Sequence, residues 1–182
     1  MIALTRRTAL AALAAASLAP LAAEAESGPE IDANVDRALR ELYGTVPGSE
    51  ELAARARGVL VMPSVVKGGL IIGGSYGEGA LRVGGATEAY YSVAAASIGY
   101  QIGVQQTAHA LFFMTDPALN RFRTANGWEL GADAEFTVPG DGISLNLDST
   151  SAGKPVIAIV FAQDGLLAGA SLEGAKYTRI AR

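Results

Sequence analysis

Residues 65–85 read VVKGGLIIGGSYGEGALRVGG, with eight glycines and three charged side chains. A run so poor in side chains either cradles a phosphate or lets strands bend and approach closely, and the choice decides the fold. A phosphate loop requires G-x-x-x-x-G-K-[ST], where the lysine meets the phosphates and the hydroxyl meets the metal. Here Lys67 precedes its glycines, and AGKP at 152–155 puts Pro155 where Ser or Thr belongs. Gly77-Glu78-Gly79 continues into neither a third glycine at the dinucleotide spacing nor a helical pattern. The glycines therefore read as devices of a β-structure. Gly68-Gly69, Gly73-Gly74 and Gly84-Gly85 flank strand-like runs and suit turns of positive φ. Gly99 and Gly103 share one strand face, where missing side chains admit a close neighbour. A tightly curved sheet needs such positions to bend without clash.

Around this run the chain alternates in the manner of strands. VLVMP (59–63) and GLIIGG (69–74) are short apolar segments bounded by Pro and Gly. SIGYQIGVQ (97–105) puts Ile98, Tyr100, Ile102 and Val104 on one face, and AHALFFM (108–114) follows it. WELGADAEFTV (128–138) alternates longest, with Trp128, Leu130, Ala132, Ala134, Phe136 and Val138 on one face and Glu129, Asp133, Glu135 and Thr137 on the other. PGDG (139–142) then suits a turn into ISLNL (143–147), and AQDG (162–165) a tight turn between PVIAIVF (155–161) and LLAGASLEG (166–174).

Three segments have helical period. Residues 29–44 carry Ile31, Val35, Ala38, Leu39 and Leu42 at helical spacing, GSEELAARARG (48–58) offers Ser49 as an N-cap, and DPALNRFR (116–123) offers Asp116 with Pro117 behind it. The expected fold is α+β: a curved, mostly antiparallel or barrel-like sheet of nine or ten strands, paired in sequence order and packed with two or three helices. One domain over residues 26–182 accommodates all of it.

The first 25 residues read differently. Arg6 and Arg7 precede an apolar Ala/Leu run, and Ala23-Glu24-Ala25 has the small-x-small form of a signal-peptidase site. Thr5-Arg6-Arg7 also fits a twin-arginine signal, so export to the periplasm or cell envelope is expected by either route. There is no cysteine, so neither a disulfide nor a lipidated anchor is available. The chain after residue 25 has a net charge of about −5, the wrong sign for a general nucleic-acid binder.

Catalytic constellations are sparse. His109 is the single histidine, which rules out a His cluster for a metal, and no EF-hand string occurs. No cofactor is expected. Gly73 to Gly77 matches G-x-S-x-G around Ser75, yet a nucleophile elbow needs a helix leaving the turn, and EGALRVGG looks like a strand. An esterase using Ser75 and His109 is the minor reading. The paired acids of WELGADAEF fit a solvated strand face better than acid/base chemistry.

Four blocks in order, ARGVLVMPSVVKGGLIIGGSYGEGAL (56–81), YYSVAAASIGYQIGVQ (90–105), ELGADAEFTV (129–138) and DGLLAGASLEGAKY (164–177), resemble the SYLF domain family, also called Ysc84. The resemblance implies a lipid-binding or membrane-associated module without catalytic activity, in the branch of secreted bacterial members. It also implies lipids or a membrane surface as partners. Actin and phosphoinositides are not expected in an exported compartment, and a partner-binding envelope protein is the alternative. The candidate lipid contacts are Lys67 at the mouth of the glycine run, Gly99 and Gly103 where small residues leave room for a chain, and the helix at 30–43. That helix would present Ile31, Val35, Leu39 and Leu42 with Arg37 and Arg40 to a bilayer interface, or else dock the same stripe on the sheet.

Overall fold

A computed structural model describes residues 26–69, 72–98, 104–130, 134–137, 154–164, 172 and 174–182. The expected signal segment 1–25, Gly99 and Gly103, the PGDG turn, the ISLNL strand and most of LLAGASLEG lie outside the described residues.

The helices are α1 (Gly28–Thr45), α2 (Ser49–Arg55) and α3 (Asp116–Thr124). The strands are β1 (Gly58–Gly69), β2 (Ile72–Val83), β3 (Ala86–Ile98), β4 (Val104–Phe113), β5 (Trp128–Glu129), β6 (Ala134–Thr137), β7 (Val156–Asp164) and β8 (Lys176–Ile180). They form one eight-stranded sheet in the order β5-β8-β3-β2-β1-β4-β7-β6. The α+β class and the curved, mostly antiparallel sheet are as the sequence leads one to expect.

The curl follows from connectivity. β5 and β6 sit at opposite edges of the sheet, yet only residues 130–133 separate them. Such a connection spans at most about 17 Å, whereas seven intervals of about 4.8 Å would hold the edges of a flat sheet about 34 Å apart. The sheet must therefore bend until its edges approach.

Several sequence expectations are corrected. WELGADAEFTV is not one strand: Trp128 pairs with Tyr177 of β8, while Ala134 to Thr137 run parallel to β7. Pairing is not sequential throughout, since β4 lies beside β1 rather than β3. The 18 residues between β6 and β7 are long enough for their parallel pairing. AQDG is not a tight turn up to Asp164, because β7 runs on to that residue and pairs it with Gln106. Ser49 does not cap α2 as its first flanking residue. Gly48 holds that position at φ 86°, and the buried Ser49 hydroxyl lies 2.6 Å from the Val46 carbonyl oxygen and 3.1 Å from that of Leu42, closing the end of α1. Thr115 rather than Asp116 caps α3, accepting from the Ala118 N–H.

Pro63 does not end its strand. The pairing of β1 slips by one residue between Val61 and Ser64 against β2 and between Met62 and Val65 against β4, a bulge that accommodates a proline without a ladder donor. This bulge explains the middle of the glycine run. A Cβ on Gly77 would collide with the Ser64 carbonyl oxygen, and one on Gly79 with the Val61 carbonyl and the Met62 sulfur. Gly84 and Gly85 make the β2–β3 turn at φ 59° and 84°. Gly68 and Gly74 instead pair with each other inside the ladder, and neither has a positive φ.

The two faces of the sheet carry two cores. On the convex side, Ile31, Val35, Ala38 and Leu42 of α1 and Leu52 of α2 pack on Val59, Val61, Ala80, Ala110, Phe112 and Ile159. A polar seam fixes α1: Arg82 meets Asp36 at 2.6 Å, and Asp32 accepts from Thr87 at 2.6 Å and Tyr90 at 2.9 Å. On the concave side, Leu60, Met62, Leu81, Tyr91, Leu111 and Phe113 gather with Leu119 and Phe122 of α3.

Candidate functional site

The two halves of the concave face are filled differently. Beside α3, aromatic rings plug it: Phe122 lies tilted at 4.6 Å from Tyr91 and 4.7 Å from Phe113 and edge to face at 5.4 Å from Trp128. Midway, Tyr177 Oη of β8 lies 2.8 Å from His109 Nε2 of β4, a bond made across the curl between strands four places apart in the sheet. Across the strands from Tyr177 and outward the side chains become small, and Val93, the direct partner of Tyr177, is buried with Gly77 and Val65. Directly paired residues share a face, and the ladder sets Val93, Gly77, Val65 and Thr107 in one row, then Ala95, Ser75 and Lys67 in the next. Ser75, Ala95, Thr107 and Lys67 are only half-buried. A short-side-chain surface with one ammonium at its rim can seat an apolar chain and meet an anionic group.

His109 is fully buried and its pKa is pushed down to about 3 by desolvation, so the imidazole is neutral at ordinary pH. Burial likewise pushes the Tyr177 phenol up. Among the described residues His109 Nδ1 has no partner. Ser75 lies within the continuous strand β2, with no helix leaving it. Ser75 pairs with Lys67 and Lys67 with Gln105, four residues along β4 from His109, or about 13 Å. These two side chains are not brought together.

The remaining candidates are dispersed. Ile31, Val35 and Leu42 are fully buried against the sheet and Leu39 partly so, while Arg37 and Arg40 stand on the exposed side of α1. Of the two roles open to this helix, the structure places its apolar stripe in the core. Gly99 and Gly103 fall outside the described residues. A groove of about 740 Å³ beside β8 is lined by Asp32, Thr87, Glu88, Tyr90, Arg179 and Arg182. Its acids are already engaged, Asp32 as above and Glu88 with Arg123. Among the described residues no group of three or more His, Cys, Asp or Glu is placed to hold a metal, and no helix is long and apolar enough to cross a membrane.

Sequence reasoning missed Tyr177, Thr107 and Ala95, and also the exposed pair Val66 and Tyr76. The last two were within reach: Gly68-Gly69 and Gly73-Gly74 are symmetric about Ile71, a register that sets Val66 opposite Tyr76.

Fold and site together define an α+β module built on a curled sheet with a small-residue concave end. Residues 94–180 match the family model of Ysc84, described as Las17-binding protein actin regulator, which supports the resemblance to the Ysc84 (SYLF) family drawn from the sequence blocks. The match runs from the middle of β3 through β8 and covers most of the last three sequence blocks noted above; the first block lies upstream of it. No curated protein matches the chain.

Proposed function

We propose that the protein is an exported, non-catalytic lipid-binding module of the cell envelope, which seats an apolar chain against the small-residue half of its concave face. One observation carries this reading: from the row of Tyr177 outward the concave face holds buried Val93, Gly77 and Val65 and half-buried Thr107, Ala95 and Ser75 in place of the rings that fill the other half. Lys67 at the end of these rows meets a headgroup phosphate or carboxylate. The match of residues 94–180 to the Ysc84 family model supports the same reading. The actin partner in the family's description is not carried over, because the N-terminal export signature removes the chain from that compartment.

The test is lipid extraction and native mass spectrometry on protein purified from its own envelope. A stoichiometric lipid, weakened by Lys67→Glu and by Ala95→Phe, is expected. Protein free of lipid that also fails to sediment with neutral and anionic vesicles overturns the reading.

A further inference from the structure

We propose that Asn126 is a modification site: the Asn126–Gly127 step closes spontaneously to a succinimide, which water opens to an aspartyl or isoaspartyl residue. The reaction does not depend on lipid binding.

Of the chain's four asparagines only Asn126 precedes a glycine. Cyclisation needs a backbone nitrogen free to turn onto the side-chain amide, and glycine puts no side chain in its way. The bend between α3 and β5 meets both needs. Asn126 is exposed, and among the described residues its side chain has no hydrogen-bond partner. The Gly127 N–H has no backbone acceptor there either, since α3 closes with the Ala125 N–H on the Arg121 carbonyl and the ladder with β8 begins at Trp128. Asn34 and Asn120 lack these features. Each lies inside a helix, where the following amide is held by the helical ladder. Their side chains are also engaged, Asn34 with Glu26 and Arg37 and Asn120 with Arg123.

The fold keeps the reactive neighbour in place. Gly127 has φ 91°, and the Lys176 side chain fills the space that a Cβ would occupy, with Nζ 3.1 Å from that point. Only glycine fits there. The ammonium beside Gly127 favours both the nitrogen anion that attacks and the oxyanion formed by the attack.

The step balances without a cofactor. Gly127 N bonds to Asn126 Cγ, the Cγ–Nδ2 bond breaks, and the side-chain nitrogen leaves as ammonia with the Gly127 proton. Water then opens the imide at either carbonyl. One opening restores the main chain with a carboxylate at position 126; the other routes the chain through the side-chain carbon and lengthens the link by one atom. Both place an anion near Lys176. Trp128 comes next, 5.4 Å from Phe122 and 5.8 Å from Tyr177, so a longer link pulls on the aromatic plug.

The experiment ages folded wild type, Asn126→Gln and Lys176→Gln in mildly alkaline buffer, with peptide mapping by mass spectrometry and labelling by an isoaspartyl methyltransferase. Thermal unfolding at the outset confirms that each protein is folded. The expected result is loss of the Asn126 amide and isoaspartyl label on that peptide, at least about tenfold faster than at Asn34 and Asn120, as one helical hydrogen bond to be broken implies. Asn126→Gln, which would have to close a larger ring, stays unlabelled there. Lys176→Gln reacts about threefold more slowly, as loss of one neighbouring charge at an exposed site implies. Emission from Trp128, the sole tryptophan, moves to the red in aged wild type and stays put in Asn126→Gln. An intact Asn126 amide after ageing, a rate no greater than at the helical asparagines, or conversion in urea with protection in the folded protein each overturns the site. Lys176→Gln reacting as fast as wild type overturns the part given to the lysine, and unmoved emission in converted protein overturns the pull on the plug.

Discussion

His109 Nε2 and Tyr177 Oη are 2.8 Å apart although their strands are separated by β1, β2 and β3. The bond spans the concave face, so it reports on curvature that no single strand pair can report. Its partners are fully buried, with rings edge to face at 5.8 Å. Tyr177→Phe removes the hydroxyl and leaves the imidazole with no partner for either nitrogen among the described residues. A buried polar group stripped in this way costs about 1–3 kcal/mol. Urea unfolding should show that loss; a midpoint unchanged from wild type would mean the bond contributes nothing.

The same histidine sets an acid sensitivity. Its folded pKa is depressed to about 3 from an ordinary 6.5, so between these values the unfolded chain binds a proton that the folded protein does not. Stability from this group is intact above pH 6.5 and falls with acidification below it, by up to about 1.4 kcal/mol per pH unit. Glu78 acts lower. Desolvation raises its pKa but bonds from Arg182 and Tyr76 outweigh it, the net shift is downward, and its contribution is lost only below 4.5. Unfolding free energies measured from pH 7.5 to 5.0 should therefore slope in wild type and flatten in His109→Leu. Equal slopes in both proteins contradict this assignment.

The glycines separate into two energetic groups. Gly77→Ala and Gly79→Ala force the β1 bulge carbonyls away and should each cost about 1–3 kcal/mol, the usual penalty for overpacking. Gly68→Ala meets nothing within 4 Å and Gly74→Ala only the Ala95 carbonyl oxygen at 3.6 Å, so both should stay within about 0.5 kcal/mol of wild type. Thermal melts of the four variants decide it, and a uniform response would remove the bulge as the reason for these glycines.

Ala162 is the one non-glycine residue with positive φ among those described, at 46°, and it lies where β7 gains a residue against β4. A left-handed alanine costs about 1–2 kcal/mol, partly offset by the extra unfolded-state freedom that glycine brings. Ala162→Gly should stabilise the protein by about 0.5–1 kcal/mol. A lower melting temperature would show that the methyl group is wanted there.

What could be read in advance follows from what a side-chain pattern encodes. Alternation tells which residues share a face, and it placed α1's stripe, the β2 run after Ser75 and the wet side of Glu129 without a structure. It does not tell which strand lies alongside. Trp128 to Val138 keeps one unbroken period while its partners change from β8 to β7, so the change of edge left no mark. β8 was silent because KYTRI has only Tyr177 buried, and its pairing with β3 joins residues about 86 apart. Pro63 read as a stop because a bulge needs neighbours before it can be recognised. At the candidate site Lys67 was legible as the lone cation of the glycine run. Val66 and Tyr76 were not singled out, since their exposure depends on where α1 ends its cover.

The segment from Trp128 to Thr137 is laid on both margins of the sheet by a connector of four residues. Neither margin is complete until the other has swung round to meet it, so the last stage of assembly is a single concerted closure instead of strands added in turn. Such distant pairings make folding slow, on the order of milliseconds to seconds. They also tie the margins mechanically, so that prising away the C-terminal stave β8 loosens β6 on the far side.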